Sequence, residues 1–206
     1  MRQISHVAAV AAAVLAIPAA APAPEAASAS APAAGVWRCP VTSTTWRGVQ
    51  RFWTGDRRCF TSPWYAGAHP VMIGFGCNPS PWYRKAAVCR WRGGVHHGVD
   101  VDMPVGTPVF AGSGGIALVN PRTTGSAYGR HRLILRAGRT DVVLGHLSRL
   151  TVRDGQVVRN GQLLGWSGMS GVERADGPHL HVEVRPAGTT YTRAVDPGRV
   201  LHLAAR

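Results

Sequence analysis

The chain has 206 residues, 45% of them hydrophobic, and a formal charge of +13 carried almost wholly by arginine, Lys85 being its one lysine. That length holds one ordinary domain plus a leader and a short extra segment. No basic helix, zinc finger or aromatic RNA-binding motif accompanies the charge, so nucleic acid is not the expected partner; an anionic cell wall polymer and a merely soluble arginine-rich surface account for it equally.

Residues 1–34 open with Arg2, continue through an apolar Ala/Val/Leu/Ile run from Val7, and end in small residues that offer several Ala-x-Ala-like cleavage sites. This is the outline of a secretory signal peptide. The run is shorter than the roughly 20 residues of a membrane span, and Pro18, Pro22 and Pro24 interrupt or bound it. The expected location is therefore secreted or wall-associated. Removing residues 1–34 takes away Arg2 and Glu25, so the charge is unchanged. Cys39, Cys59, Cys77 and Cys89 are an even number in an exported chain, which predicts disulfides. Of the three possible pairings, Cys39–Cys59 with Cys77–Cys89 closes the shortest loops. Six of the seven tryptophans lie between Trp37 and Trp91, and they read first as filling a small cysteine-stapled core, with stacking on glycan rings the rarer use. The expected division is a leader over 1–34, a Cys/Trp-rich segment over 35–71 and a main domain over 72–206.

From Met72 onward short β-prone runs alternate with glycine turns: MIGF, GVDVDM, PVF, GIALV, RLILR, DVVLGHL, QVV, QLLGW and HLHVEV. No sustained 3.6-residue apolar period interrupts them, so the fold is predicted to be all-β, an antiparallel sheet strongly twisted or folded over on itself, with one helical turn around 197–203. Asp154-Gly155 and Asn160-Gly161 mark two tight turns.

The chemistry lies in the histidines. In GVHHGVDV, His96 and Asp100 flank Gly98, where the backbone is free to bend so that both side chains reach one ion. In GPHLHVEV, His179, His181 and Glu183 occupy alternate positions of a strand and so share one face. Imidazoles with a carboxylate suit zinc, and a catalytic zinc keeps its fourth position for water. His146 in VVLGHLSRL completes the set. Asp102 is a weak rival ligand on the Asp100 strand, and His69, His131 and His202, lacking partners in sequence, read as surface residues.

Over residues 72–198, HHGVDVDMPVGTPVFA, AYG at 127–129, GHLSRLTVRDGQVVRNGQLLGWSGMSG, GPHLHVEV and VDP at 195–197 appear in one order. In these motifs the chain resembles the LytM/lysostaphin-type zinc endopeptidases that hydrolyse peptidoglycan peptides. The resemblance implies a LytM-like fold of the duplicated hybrid motif type, one zinc held by His96, Asp100 and His181, and catalytic histidines at His146 and His179. It implies a monomer acting on peptidoglycan peptides, with Glu183 orienting a histidine ring. His97 is set aside as first ligand, because Asp100 follows it at three residues instead of four. Leu144 and Val182 stand where many relatives carry aromatic residues, and VERAD at 172–176 lengthens a loop beside the site. A non-catalytic wall-binding or hydrolase-activating relative is the alternative, against which the intact set of histidines and Asp100 argues. A phosphocarrier domain is a third class, disfavoured by export and by Asp100.

Overall fold

The structure is a computed structural model that describes residues 43–90 and 93–206; the leader, Trp37, Cys39 and Trp91 lie outside the described residues. The described chain forms strands β1 (Thr45–Trp46), β2 (Val49–Gln50), β3 (Cys59–Ser62), β4 (Tyr65–Ile73), β5 (Gly76–Asn78), β6 (Gly94–His96), β7 (Val99–Asp102) and β8 (Pro108–Phe110). Strands β9 (Gly115–Val119), β10 (His131–Ala137), β11 (Thr140–Leu147), β12 (Arg149–Leu150), β13 (Val157–Val158), β14 (Leu163–Trp166), β15 (His179–Pro186) and β16 (Ala204–Ala205) follow. Helix is confined, among the described residues, to one turn over Gly198–Leu201 and three short 3₁₀ turns. The all-β expectation therefore holds. Both predicted glycine turns form, with Gly155 at φ 75° and Gly161 at φ 77°.

Twelve strands make one antiparallel sheet, running β12, β14, β8, β4, β7, β15, β11, β10, β9, β13, with β3 and β16 attached beside β4. The sheet folds over at β4. Its first half pairs with β3 and β8, its second half with β7, and the register slips between Val71 and Ile73. Such a bulge bends a strand and lets one sheet pack on itself. The expected boundary at residue 71 falls inside this strand, so residues 59–71 of the Cys/Trp-rich segment are built into the same sheet as the residues that follow, while β1 and β2 pair with each other in a separate ribbon.

Alternation explains β15, which is buried on both faces. Leu180, Val182 and Val184 enter the main core with Leu133, Leu135, Val142, Leu144 and Trp64, while His179, His181 and Glu183 point to the opposite side. Leu144 and Val182, the two departures from the family pattern, are direct cross-strand partners and fully buried. They pack against each other in the core and face away from the histidines. Trp64 is a core residue, its indole nitrogen donating to the Val200 carbonyl at 2.8 Å. Trp53 and Trp82 pack on a smaller cluster of Phe52, Met72 and Ile73. The Cys77–Cys89 bond forms as expected and closes a 12-residue separation around the β5–β6 ribbon that ends at His96. No described cysteine is free.

His69 corrects the sequence reading. It is 4% exposed in the interior strand β4, with Nε2 at 3.0 Å from the Ala66 carbonyl and its ring edge-on to Tyr65. A local backbone bond lets a histidine without partners in the sequence pattern sit inside the sheet.

Candidate metal centre and active site

The site is assembled on the centre of the sheet. β15 lies between β7 and β11, with His181 opposite Asp100 on one side and Gly145 on the other. His96 arrives from the end of β6. Its Nε2 lies 3.1 Å from His181 Nδ1 and 3.4 Å from Asp100 Oδ1, and His181 Nδ1 lies 2.8 Å from that oxygen. Three donor atoms from three strands thus form a small buried triangle. Gly98 is needed for a reason other than the bend expected from the sequence: a Cβ there would come within 2.5 Å of both His181 Cε1 and the Val182 carbonyl oxygen.

The backbone selects which nitrogen each ring presents. His96 Nδ1 bonds the Gly74 carbonyl at 3.0 Å, His146 Nδ1 the Ser170 carbonyl at 3.0 Å, and His179 Nδ1 the Gly177 carbonyl at 2.8 Å. A carbonyl can only accept, so each of these rings donates from Nδ1 and leaves Nε2 for the site. His181 is turned the other way, with Nδ1 in the triangle and a buried Nε2 that makes no hydrogen bond. The His146 and His179 rings lie 4.5 Å apart beside this triangle. His146 is held at φ 60°, in the left-handed region that residues other than glycine adopt uncommonly.

These rings open into a cavity of about 540 Å³, lined also by Tyr83, Tyr128, Asp176 and Tyr191. Residues Val172, Ala175 and Asp176 of the lengthened loop form one wall. His97 lines the cavity with its ring 5.0 Å from that of Tyr191 and takes no part in the triangle. Asp102 is also absent from it, being ion-paired with Arg51 at 2.8 Å.

Burial alone would raise the Asp100 carboxyl, but the surrounding His96, His179 and His181 rings hold it well below the usual carboxylate range. Burial opposes charge on His181 as well, yet the bond to Asp100 and the neighbouring Glu183 lift it to about 9. Burial, joined by the His179 and His181 rings, pushes His146 well down, so its ring is neutral. Glu183 accepts hydrogen bonds from the Tyr128 hydroxyl and, at 2.9 Å, from Arg185, and stands 3.9 Å from His181 Nε2. Burial works to raise it, but His181, Tyr128 and Arg185 keep it ionised.

Residues 94–197 match the family model described as peptidase family M23. The chain belongs to this family. The M23 fold is shared with the catalytic domain of lysostaphin from Staphylococcus simulans at 32% identity and a TM-score of 0.52, covering 65% of this chain and 92% of that one. In sequence the chain is 38% identical over 90 residues to the peptidoglycan DD-endopeptidase ShyA of Vibrio cholerae, 43% of this chain and 20% of that protein. It is 35% identical over 124 residues to the glycyl-glycine endopeptidase ALE-1 of Staphylococcus capitis, 60% of this chain and 32% of that protein. The chain thus spans a fifth to a third of these curated relatives.

Beyond the residues singled out from the sequence, the M23 site here contains Tyr83, Tyr128 and Asp176. Tyr83 stacks on His96 and donates to Asp100 at 3.3 Å. Asp176 is 4% exposed, has one carboxylate oxygen without a hydrogen bond, and is raised by burial. Tyr128 lies in the AYG motif and could have been found there; Tyr83 carries no signal in spacing, since it meets Asp100 across 17 residues, and Asp176, three residues before His179, belongs to the lengthened VERAD loop and to no motif.

Proposed function

We propose that this chain is a secreted zinc metalloendopeptidase that hydrolyses peptide bonds in bacterial peptidoglycan, with His96, Asp100 and His181 as zinc ligands and His146 and His179 as catalytic residues. The triangle of donor atoms carries the reading. Its sides of 2.8, 3.1 and 3.4 Å suit a tetrahedral ion with bonds of about 2.0–2.1 Å, whose ligand atoms stand roughly 3.3 Å apart. Two imidazoles and a carboxylate are also a donor set that zinc favours. Bound there, zinc supplies a water whose pKa is lowered to about 7 and a Lewis acid for the scissile carbonyl.

The chain's own groups do the rest. The Gly74 carbonyl orients the His96 ring from its non-ligating nitrogen, and Glu183 stands beside that of His181, a supporting role in which such partners set tautomer and basicity. The neutral His146 ring, with Nε2 free, is built to accept a proton at that atom, and His179 offers a second Nε2 beside it. Between them they take the proton from the attacking water and return one to the leaving amine, which balances the hydrolysis. Glu183 keeps its place beside His181 through Tyr128 and Arg185. The cavity walls from the 172–176 loop exclude water and bound the peptide.

The names of the relatives bring two bond types into view, D,D cross-links and glycine bridges, and the class common to both is a peptidoglycan peptide. The test is mass spectrometry of fragments released from walls of both types by the zinc-loaded wild type and by H146A and H179A. New peptide termini from the wild type and none from the variants support the proposal. No cleaved peptide bond, or cleavage by both variants at the wild-type rate, contradicts it.

A further inference from the structure

Arg51 lies ahead of the residues that match the family, yet it is fully buried. A buried guanidinium survives in a fold only when paired and hydrogen-bonded, and every nitrogen of this one is engaged. Nε donates to the Asp176 carbonyl at 2.5 Å, Nη1 donates to the Ser43 carbonyl at 3.0 Å and pairs with Asp102 at 2.8 Å, and Nη2 donates to the Pro178 carbonyl. These partners bracket the site. Asp102 is two residues beyond Asp100 and directly opposite His179 in the β7–β15 register. The carbonyls of Asp176 and Pro178 flank that of Gly177, which receives the His179 Nδ1 proton at 2.8 Å. One side chain therefore fixes the peptide planes on both sides of the carbonyl that orients His179.

Trp46 reinforces the same loop. Its indole nitrogen donates to the Glu173 carbonyl at 3.0 Å, and its ring lies so close to Gly177 that a Cβ there would stand 2.5 Å from it. Gly177 is at φ 76°, so both space and backbone conformation require glycine.

We propose that Arg51 is a positioning residue for His179, and that residues 43–53 serve as a brace for the 172–178 loop. The positioning part rests on the reading of His179 as a catalytic residue; the brace does not. Lysine cannot replace the planar fork, because an ammonium is a point donor on a flexible stem. Two variants test this. Arg51→Lys keeps the charge opposite Asp102. The double variant R51M/D102L removes the ion pair as a unit, which a buried site tolerates far better than loss of one partner.

Zinc content, kcat and KM on a peptidoglycan peptide, and amide hydrogen exchange over 172–179 are measured on each. The expected result is an unchanged zinc content, exchange at the Ala175, Gly177 and His179 amides faster by roughly tenfold, and kcat lower by roughly 10–100-fold with KM nearly unchanged. Wild-type exchange together with wild-type kcat in R51K overturns the proposal, as does a loss of activity equal to the unfolded fraction. A wild type that cleaves no peptide would sink the endopeptidase reading, while the exchange comparison would still decide whether Arg51 braces the loop.

Discussion

Replacing Gly98 with alanine adds a single methyl group against the ring of His181. The new Cβ would meet His181 Cε1 and the Val182 carbonyl oxygen at 2.5 Å and His181 Nε2 at 2.8 Å. Ordinary contacts between such atoms are about 3.5 Å or more, so His181 or β15 must retreat by roughly 1 Å. Overpacking of this kind costs about 1–3 kcal/mol, which in a chain of this size lowers Tm by roughly 2–12 °C. Metal ligation tolerates only about 0.2 Å of displacement, and a misplacement near 1 Å costs on the order of 100-fold in rate. The expected G98A protein is therefore folded, binds zinc at least tenfold more weakly, and loses on the order of 100-fold in peptide hydrolysis. Gly55, where an added Cβ meets nothing within 4 Å, is the control, and G55A is expected to match the wild type. Zinc titration with a competing chelator and a thermal melt read both. G98A with wild-type zinc affinity and activity would refute the reasoning.

His146 sits at φ 60°, so His146→Gly should be more stable than His146→Ala by about 1 kcal/mol although both lose the imidazole; equal melting temperatures would argue against an imposed backbone. Both should keep zinc and lose at least 100-fold in activity. Asp141 accepts two bonds from Arg136 at 2.8 and 2.9 Å and one from the Gly188 amide at 2.9 Å, and despite its burial these hold its pKa down. Its contribution to stability is thus complete above the unfolded carboxylate pKa of about 3.9 and is lost as pH falls through the lower folded value. Asp141→Asn should cost about 1–3 kcal/mol at neutral pH, with the gap narrowing toward pH 2, as acid titration of stability will show. Removing the Cys77–Cys89 bond, with its 12-residue separation, should cost roughly 3 kcal/mol by urea unfolding and loosen the ribbon that carries His96.

The sequence made some of this site plain and hid the rest for physical reasons. His179, His181 and Glu183 could be placed on one face because strand alternation is local, and β15 does alternate that way. His96 and Asp100 are close enough in sequence that one short turn brings them together. Arg51 could not be found in this way, since its carbonyl partners at Asp176 and Pro178 are 125 and 127 residues distant and backbone acceptors leave no trace in residue type. The left-handed backbone of His146 likewise has no marker, because glycine is the residue expected there. His69 was misplaced because a histidine without a partner in sequence normally belongs on the surface, and the Ala66 carbonyl that satisfies it is invisible to pattern. Leu144 and Val182 stood out in the sequence only as departures from the aromatic residues of many relatives, whereas their register makes them a matched core pair. The fold-over at β4 was foreseen only in outline, since the bulge that bends it depends on pairing with strands far along the chain.

The central claim is that a zinc ion held by His96, Asp100 and His181 drives peptide hydrolysis. The most direct test is peptide release from purified wall by the protein as isolated, after metal stripping and after zinc return, with metal content measured on the same samples and on H181A. The account predicts one zinc per chain, loss of release on stripping, recovery with zinc, and neither zinc nor release in H181A. Full activity in metal-free protein, or a zinc-loaded H181A, would contradict it.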